Sequence, residues 1–118
     1  MKRIQVKRVY EPAGPADGVR VLVDRLWPRG LSKAKAAVNE WLKEAAPSQV
    51  LRQWFSHDPR KWPEFRKKYF EELDSRPEVV FKLRQLLRKG PATLLYGARD
   101  ENFNNAVALA EYLKKKAG

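Results

Sequence analysis

The chain has 118 residues, no cysteine, a single histidine and a net charge of +11. These numbers exclude disulfide scaffolds, thiolate chemistry, the cysteine-based zinc patterns and a histidine-rich metal site within one chain. No apolar run approaches the roughly 20 residues that cross a bilayer.

The length fits one domain over residues 1–118, which should bury about two-thirds of the surface its unfolded form exposes. Met1-Lys2-Arg3 is followed by a mixed polar and apolar stretch instead of the apolar core of a signal peptide, so a cytoplasmic protein is expected. The charge is uneven. Residues 1–37 hold nine Lys/Arg and three Asp/Glu, net +6, and residues 38–118 hold sixteen and eleven, net +5. Such an excess attracts anions.

In chain order, alternation of Ile4 and Val6 with Gln5 and Lys7 predicts a strand over 3–9 with one wet face. Residues 11–18, with two prolines and two glycines, read as a loop. Val19 to Val23, apolar except for Arg20, predicts a second and more buried strand. Ser32 is placed to cap a helix over 33–45; the alternative is a short helix followed by a strand at 38–42, since Val38 and Trp41 also suit a sheet. Ser48 caps a short helix carrying Leu51, Trp54 and Phe55. A turn at 56–59 precedes a helix over 60–74 with a Trp62, Phe65, Tyr69, Leu73 stripe and Pro63 in its first turn. Ser75 and Glu78 have capping-box spacing ahead of a helix over 77–89, which Gly90-Pro91 stops. Ala92 to Tyr96 predicts a fully buried strand, and residues 102–116 a final helix ending in lysines. The expected fold is α/β: a small mixed or parallel sheet of three to four strands packed by helices.

Two loops carry the main candidate chemistry. Asp24 to Gly30 follows a buried strand, where open α/β sheets bind ligands. Arg25 and Arg29 present forks for phosphate or carboxylate, Trp27 a flat face, and Gly30 room for close approach. The bland alternative is a turn, with Asp24 paired to an arginine and Trp27 in the core. Gly97 to Asp100 also follows a buried strand, and Arg99 and Asn102 stand where a helix N-terminus attracts anions. Helix capping by Asp100 or Asn102 explains that stretch equally. If both strand ends are neighbours, Arg25, Arg29 and Arg99 converge. His57, beside Asp58, is a third candidate. It and Asp24 are the side chains suited to proton transfer, against a local turn role for His57 and capping for Asp58. Trp41, Trp54, Trp62, Phe65 and Tyr69 have helical spacing that favours core over base stacking, and Arg66-Lys67-Lys68 suits a solvated face. Phosphate-loop, dinucleotide and nucleophile-elbow motifs are absent, so no cofactor is implied.

The run Val19-Arg20-Val21-Leu22-Val23-Asp24-Arg25-Leu26-Trp27-Pro28-Arg29-Gly30 resembles the signature of the YeaO-like proteins, within the domain-of-unknown-function family numbered 488. Ala46-Pro47-Ser48, Leu51-Arg52-Gln53-Trp54-Phe55, His57-Asp58-Pro59 and Thr93-Leu94-Leu95-Tyr96-Gly97-Ala98-Arg99-Asp100 resemble its later blocks in the same order. The resemblance spans nearly the whole chain and implies a compact α/β domain. Broader relatives carry cysteine near the 97–105 loop, followed by His-Arg. A thiol mechanism of theirs does not transfer to a chain without cysteine. The expected function is a basic cleft for a small phosphorylated or nucleotide-like anion, with or without catalysis. The alternative is a nucleic-acid-binding or accessory module. No membrane partner is expected.

Overall fold

In the computed structural model, which describes residues 4–115, strands β1 (Ile4–Arg8), β2 (Val19–Leu22), β3 (Glu40–Trp41) and β4 (Ala92–Tyr96) form one sheet ordered β1-β4-β2-β3. Every pairing is parallel, with Ile4 opposite Ala92, Val19 opposite Ala92 and Val21 opposite Glu40. β4 is therefore central, which is why all five of its residues are buried.

Alternation sorts the strand residues onto two faces. Ile4, Val21, Val23, Leu94 and Tyr96 join the main core with helices α2 (Gln49–Phe55), α3 (Trp62–Asp74), α4 (Pro77–Lys89) and α5 (Asn105–Lys115). Phe65, Tyr69 and Leu73 of the expected α3 stripe are buried, with Trp62 packed against them. On the other face Val9, Leu22 and Leu95 meet Ala36, Trp27, Leu31 and Trp41 in a smaller cluster.

Between β2 and β3 the long helix over 33–45 does not form. Helix α1 spans only Lys33–Ala36, and Glu40–Trp41 is a strand. The reason is Arg20. Its Nη2 and Nε donate to the Ala36 and Ala37 carbonyls at 3.0 and 3.1 Å, taking the acceptors that a longer helix would use. Ala37 turns left-handed at φ 51°, and Asn39 Oδ1 accepts the Arg20 N–H, pulling the chain into the sheet. Ser48 does cap α2, accepting from the Leu51 N–H at 3.1 Å.

The capping box at Ser75 is not made. Ser75 Oγ instead donates to the Glu72 carbonyl, and α4 begins at Pro77 without a side-chain cap. α5 begins at Asn105 rather than 102 because Asp100 holds the preceding turn, accepting from the Asn102 and Phe103 N–H groups. The expected end of that helix at 116 lies outside the described residues.

Gly18 is required by close approach. It has φ +64°, and a Cβ there would lie 2.0 Å from the Pro91 carbonyl oxygen, beside the Val19 N–H to Pro91 hydrogen bond that starts the β2–β4 ladder. Among the described residues no helix is long and apolar enough to cross a membrane.

Candidate functional site

β2 and β4 are neighbours, so the loops that follow them leave the sheet side by side at its C-terminal edge. After β2 the chain runs on to α1 and β3. After β4 it turns to α5, which packs on β4 and β1. Paths that diverge from adjacent strands leave a crevice between them.

One hydrogen bond ties the two exits together. The Gly97 N–H donates to Asp24 Oδ2 at 2.8 Å. The surroundings are braced. Arg8 donates to the carbonyls of Ala98 at 2.8 Å and Gly97 at 3.2 Å, Trp41 Nε1 donates to the Asp24 carbonyl at 2.8 Å, and Asn105 Nδ2 donates to the Val23 carbonyl at 3.0 Å.

A cavity of about 410 Å³ opens at this crevice. Its polar lining is Asp24, Arg25, Arg52, Gln53, Ser56, His57, Asn104 and Asn105. Its apolar wall comes from Leu26, Ala46, Pro47, Phe55, Phe65, Ala98 and Phe103. Burial pushes the Asp24 carboxyl above the ordinary carboxylate range, against the opposing pull of the Gly97 N–H, Asn105 and the Arg52 charge.

Nε of Arg25 and Nε of Arg52 are both buried without a hydrogen-bond partner. A buried donor left unpaired is costly, and for a charged group the cost is greater. The two guanidiniums come from different elements, the loop after β2 and helix α2. Ser56 and His57 line the rim in succession in left-handed backbone, φ 46° and 57°. That conformation strains residues bearing a Cβ, and such strain concentrates at functional sites.

The cavity thus gathers Asp24, Arg25 and His57 of the residues singled out from sequence. Trp27, Arg29, Gly30, Arg99 and Asn102 do not line it. Trp27 packs edge-on to Trp41 at 5.3 Å, and its indole N–H donates to the Leu31 carbonyl at 2.8 Å. Arg29 and Gly30 are exposed, and the Arg29 carbonyl accepts from the Tyr10 hydroxyl. Arg99 and Asn102 are exposed as well.

Of the two readings of His57-Asp58, the structure shows Asp58 as a cap. Asp58 caps the short turn Pro59–Lys61 and binds the Arg60 guanidinium at 3.1 Å, which holds its carboxyl low. The carboxyl whose charge His57 influences is Asp100, held low first by the Phe103 and Asn102 N–H groups and, less, by His57.

Sequence reading missed Arg52, Gln53 and Ser56. Arg52 had one signal. It follows Leu51 in a helix whose Leu51 and Phe55 are buried, so its stem must run along the core edge.

A family model described as the inactive DUF488-N3 subclade matches residues 3–117. The uncharacterized protein YeaO of Escherichia coli K12 is 44% identical over 111 residues, covering 94% of this chain and 96% of that protein. The uncharacterized protein Rv3073c of Mycobacterium tuberculosis H37Rv is 40% identical, covering 94% of this chain and 93% of its own. No solved structure matches the chain. Coverage this complete, together with the Asp24–Gly30 and Thr93–Asp100 blocks that build the crevice, makes the chain a YeaO-like member of the domain-of-unknown-function family 488, in its inactive N3 subclade.

Proposed function

We propose that the cavity between the β2 and β4 exits binds a small anion and performs no chemistry on it. The observation that carries this reading is that Arg25 and Arg52, each with a buried Nε that has no partner, line one cavity. An anionic group in the cavity offers acceptors to both guanidiniums in charge-assisted bonds, each contributing about 1.5–3 kcal/mol. The volume falls within the roughly 300–1,000 Å³ of small-molecule pockets. The absence of cysteine and the description of the family as inactive support binding over catalysis. Phosphorylated and nucleotide-like molecules are the class to which the basic loops point in sequence.

The test is thermal unfolding of the whole chain with phosphate, sulfate, sugar phosphates, nucleotides and simple carboxylates. A ligand that binds only the native state raises the melting temperature by mass action. The expected result is a saturable rise with at least one small anion that Arg52→Met abolishes. A rise unaffected by both Arg52→Met and Arg25→Met overturns the assignment.

A second reading, a nucleic-acid-binding accessory module, draws on the +11 charge and the exposed Arg29 and Arg99. It requires oligonucleotide binding that falls with salt by a log–log slope of about −0.7 to −0.9 per phosphate contacted. No binding at low salt rejects it.

A further inference from the structure

We infer that the anion held by Arg25 and Arg52 is the carboxylate of a small acid with an apolar body, aromatic or branched. The inference rests on the anion-site reading above and narrows its ligand class, away from phosphate.

The first ground is the fate of the backbone donors. Phosphate sites in α/β folds use N–H groups at a strand–helix junction to reach several oxygens. Here four of those groups are occupied from within the chain. The Gly97 N–H is taken by Asp24, the Asn102 and Phe103 N–H groups by Asp100 Oδ1 at 2.9 and 3.0 Å, and the Val107 N–H by Asn104 Oδ1 at 2.9 Å. Each side-chain amide also gives an N–H to the chain, Asn104 to the Asp100 carbonyl and Asn105 to the Val23 carbonyl. The arginine donors lining the cavity are the two guanidiniums of Arg25 and Arg52, and a planar fork matches the two oxygens of a carboxylate.

The second ground is charge. With Asp24 ionised, two guanidiniums and its carboxylate sum to one positive charge, which a monoanion balances and a dianion exceeds. A dianion also suffers the Asp24 charge at close range, in a setting that screens poorly. When Asp24 carries its proton, it can donate a hydrogen bond to the ligand instead. The third ground is the wall. Leu26, Pro47, Phe55 and Phe103 line the same cavity, and a bare inorganic anion leaves that surface uncovered.

The experiment measures affinities of the whole chain by calorimetry for benzoate, 4-methylpentanoate, acetate, benzamide and phenyl phosphate, at a pH where phenyl phosphate is a dianion. Benzoate or 4-methylpentanoate should bind at least about tenfold more tightly than acetate, benzamide or phenyl phosphate. Arg52→Met should abolish that binding, with Arg25→Met as the independent check should the first variant not fold. Asp24→Asn keeps an acceptor for the Gly97 N–H and removes the charge, so it should narrow the gap between benzoate and phenyl phosphate. Phenyl phosphate binding as tightly as benzoate, with dependence on Arg52, refutes the carboxylate and leaves the anion site standing. If none of the anions binds in an Arg25- or Arg52-dependent way, both readings fall.

Discussion

The two ends of the sheet treat buried charge in opposite ways. At the N-terminal end Arg20 is 3% exposed, and each of its three guanidinium nitrogens has a partner: Asp17 Oδ2 at 2.6 Å and the Ala36 and Ala37 carbonyls. Asp17 in turn takes Lys7 at 3.0 Å and the Gly14 N–H at 3.1 Å, while its own carbonyl accepts from Thr93 Oγ1. At the C-terminal end Arg25 and Arg52 keep buried nitrogens unpaired around a cavity. A closed network fixes structure, whereas an open one has bonding capacity left for something else. The contrast separates arginines that hold the fold from arginines available to a ligand, although all three sit in a protein rich in positive charge.

The closed end should give the largest losses. Gly18→Ala forces a Cβ onto the Pro91 carbonyl at positive φ and should cost about 4 kcal/mol, read from the urea midpoint. A loss under about 1 kcal/mol would mean that the β2–β4 junction yields easily. Arg20→Met leaves Asp17 buried with Lys7 alone and frees two carbonyls, for a loss of about 3 kcal/mol. At the open end Arg52→Met should change stability by less than about 1 kcal/mol in either direction, because it removes an unpaired buried donor. A loss as large as that at Arg20 would erase the distinction between the two ends.

The smallest effect is the most discriminating, because the two ends should titrate with opposite sign. Burial raises the Asp17 carboxyl, but the Gly14 N–H, Lys7 and Arg20 together outweigh it, and the net shift is downward. Asp17 therefore contributes stability above the ordinary carboxylate range that is lost as the pH falls through its lowered pKa. Asp24 is shifted upward by burial. Its contribution is present below the ordinary range and is lost as the pH rises through its raised pKa. Urea unfolding across pH should show the penalty of Asp17→Asn shrinking in acid. Asp24→Asn should gain on the wild type as the pH rises. Parallel curves would contradict the electrostatic difference.

Local patterns made much of this architecture legible. Ile4–Arg8, Val19–Leu22 and Ala92–Tyr96 are strands because their alternation or continuous apolar character allows little else. The choice at 33–45 between a long helix and the short helix followed by a strand that forms turned on a long-range cause. Arg20 ends α1 through side-chain bonds to a helix sixteen residues away, and no local periodicity carries that information. The crevice loops were legible as loops after buried strands. Their occupancy was not. Whether a junction N–H is free or capped depends on Asp100 and Asn104 rotamers, and whether Arg29 or Arg52 reaches the cavity depends on packing. Arg52 looked bland because a cation near a helix C-terminus already has a sufficient local reason.

The central position of β4 has a consequence for the chain's birth. β1 and β2 do not touch in the sheet; each pairs with residues 92–96. On the ribosome, residues 92–96 must emerge before the strand that joins them exists. Until then the apolar runs at 4–9 and 19–23 have no native partner strand between them, and pairing across some 70–90 residues of sequence is slow. Folding of the sheet should thus be an abrupt event that waits for residues 92–96, with the crevice among the last features to form.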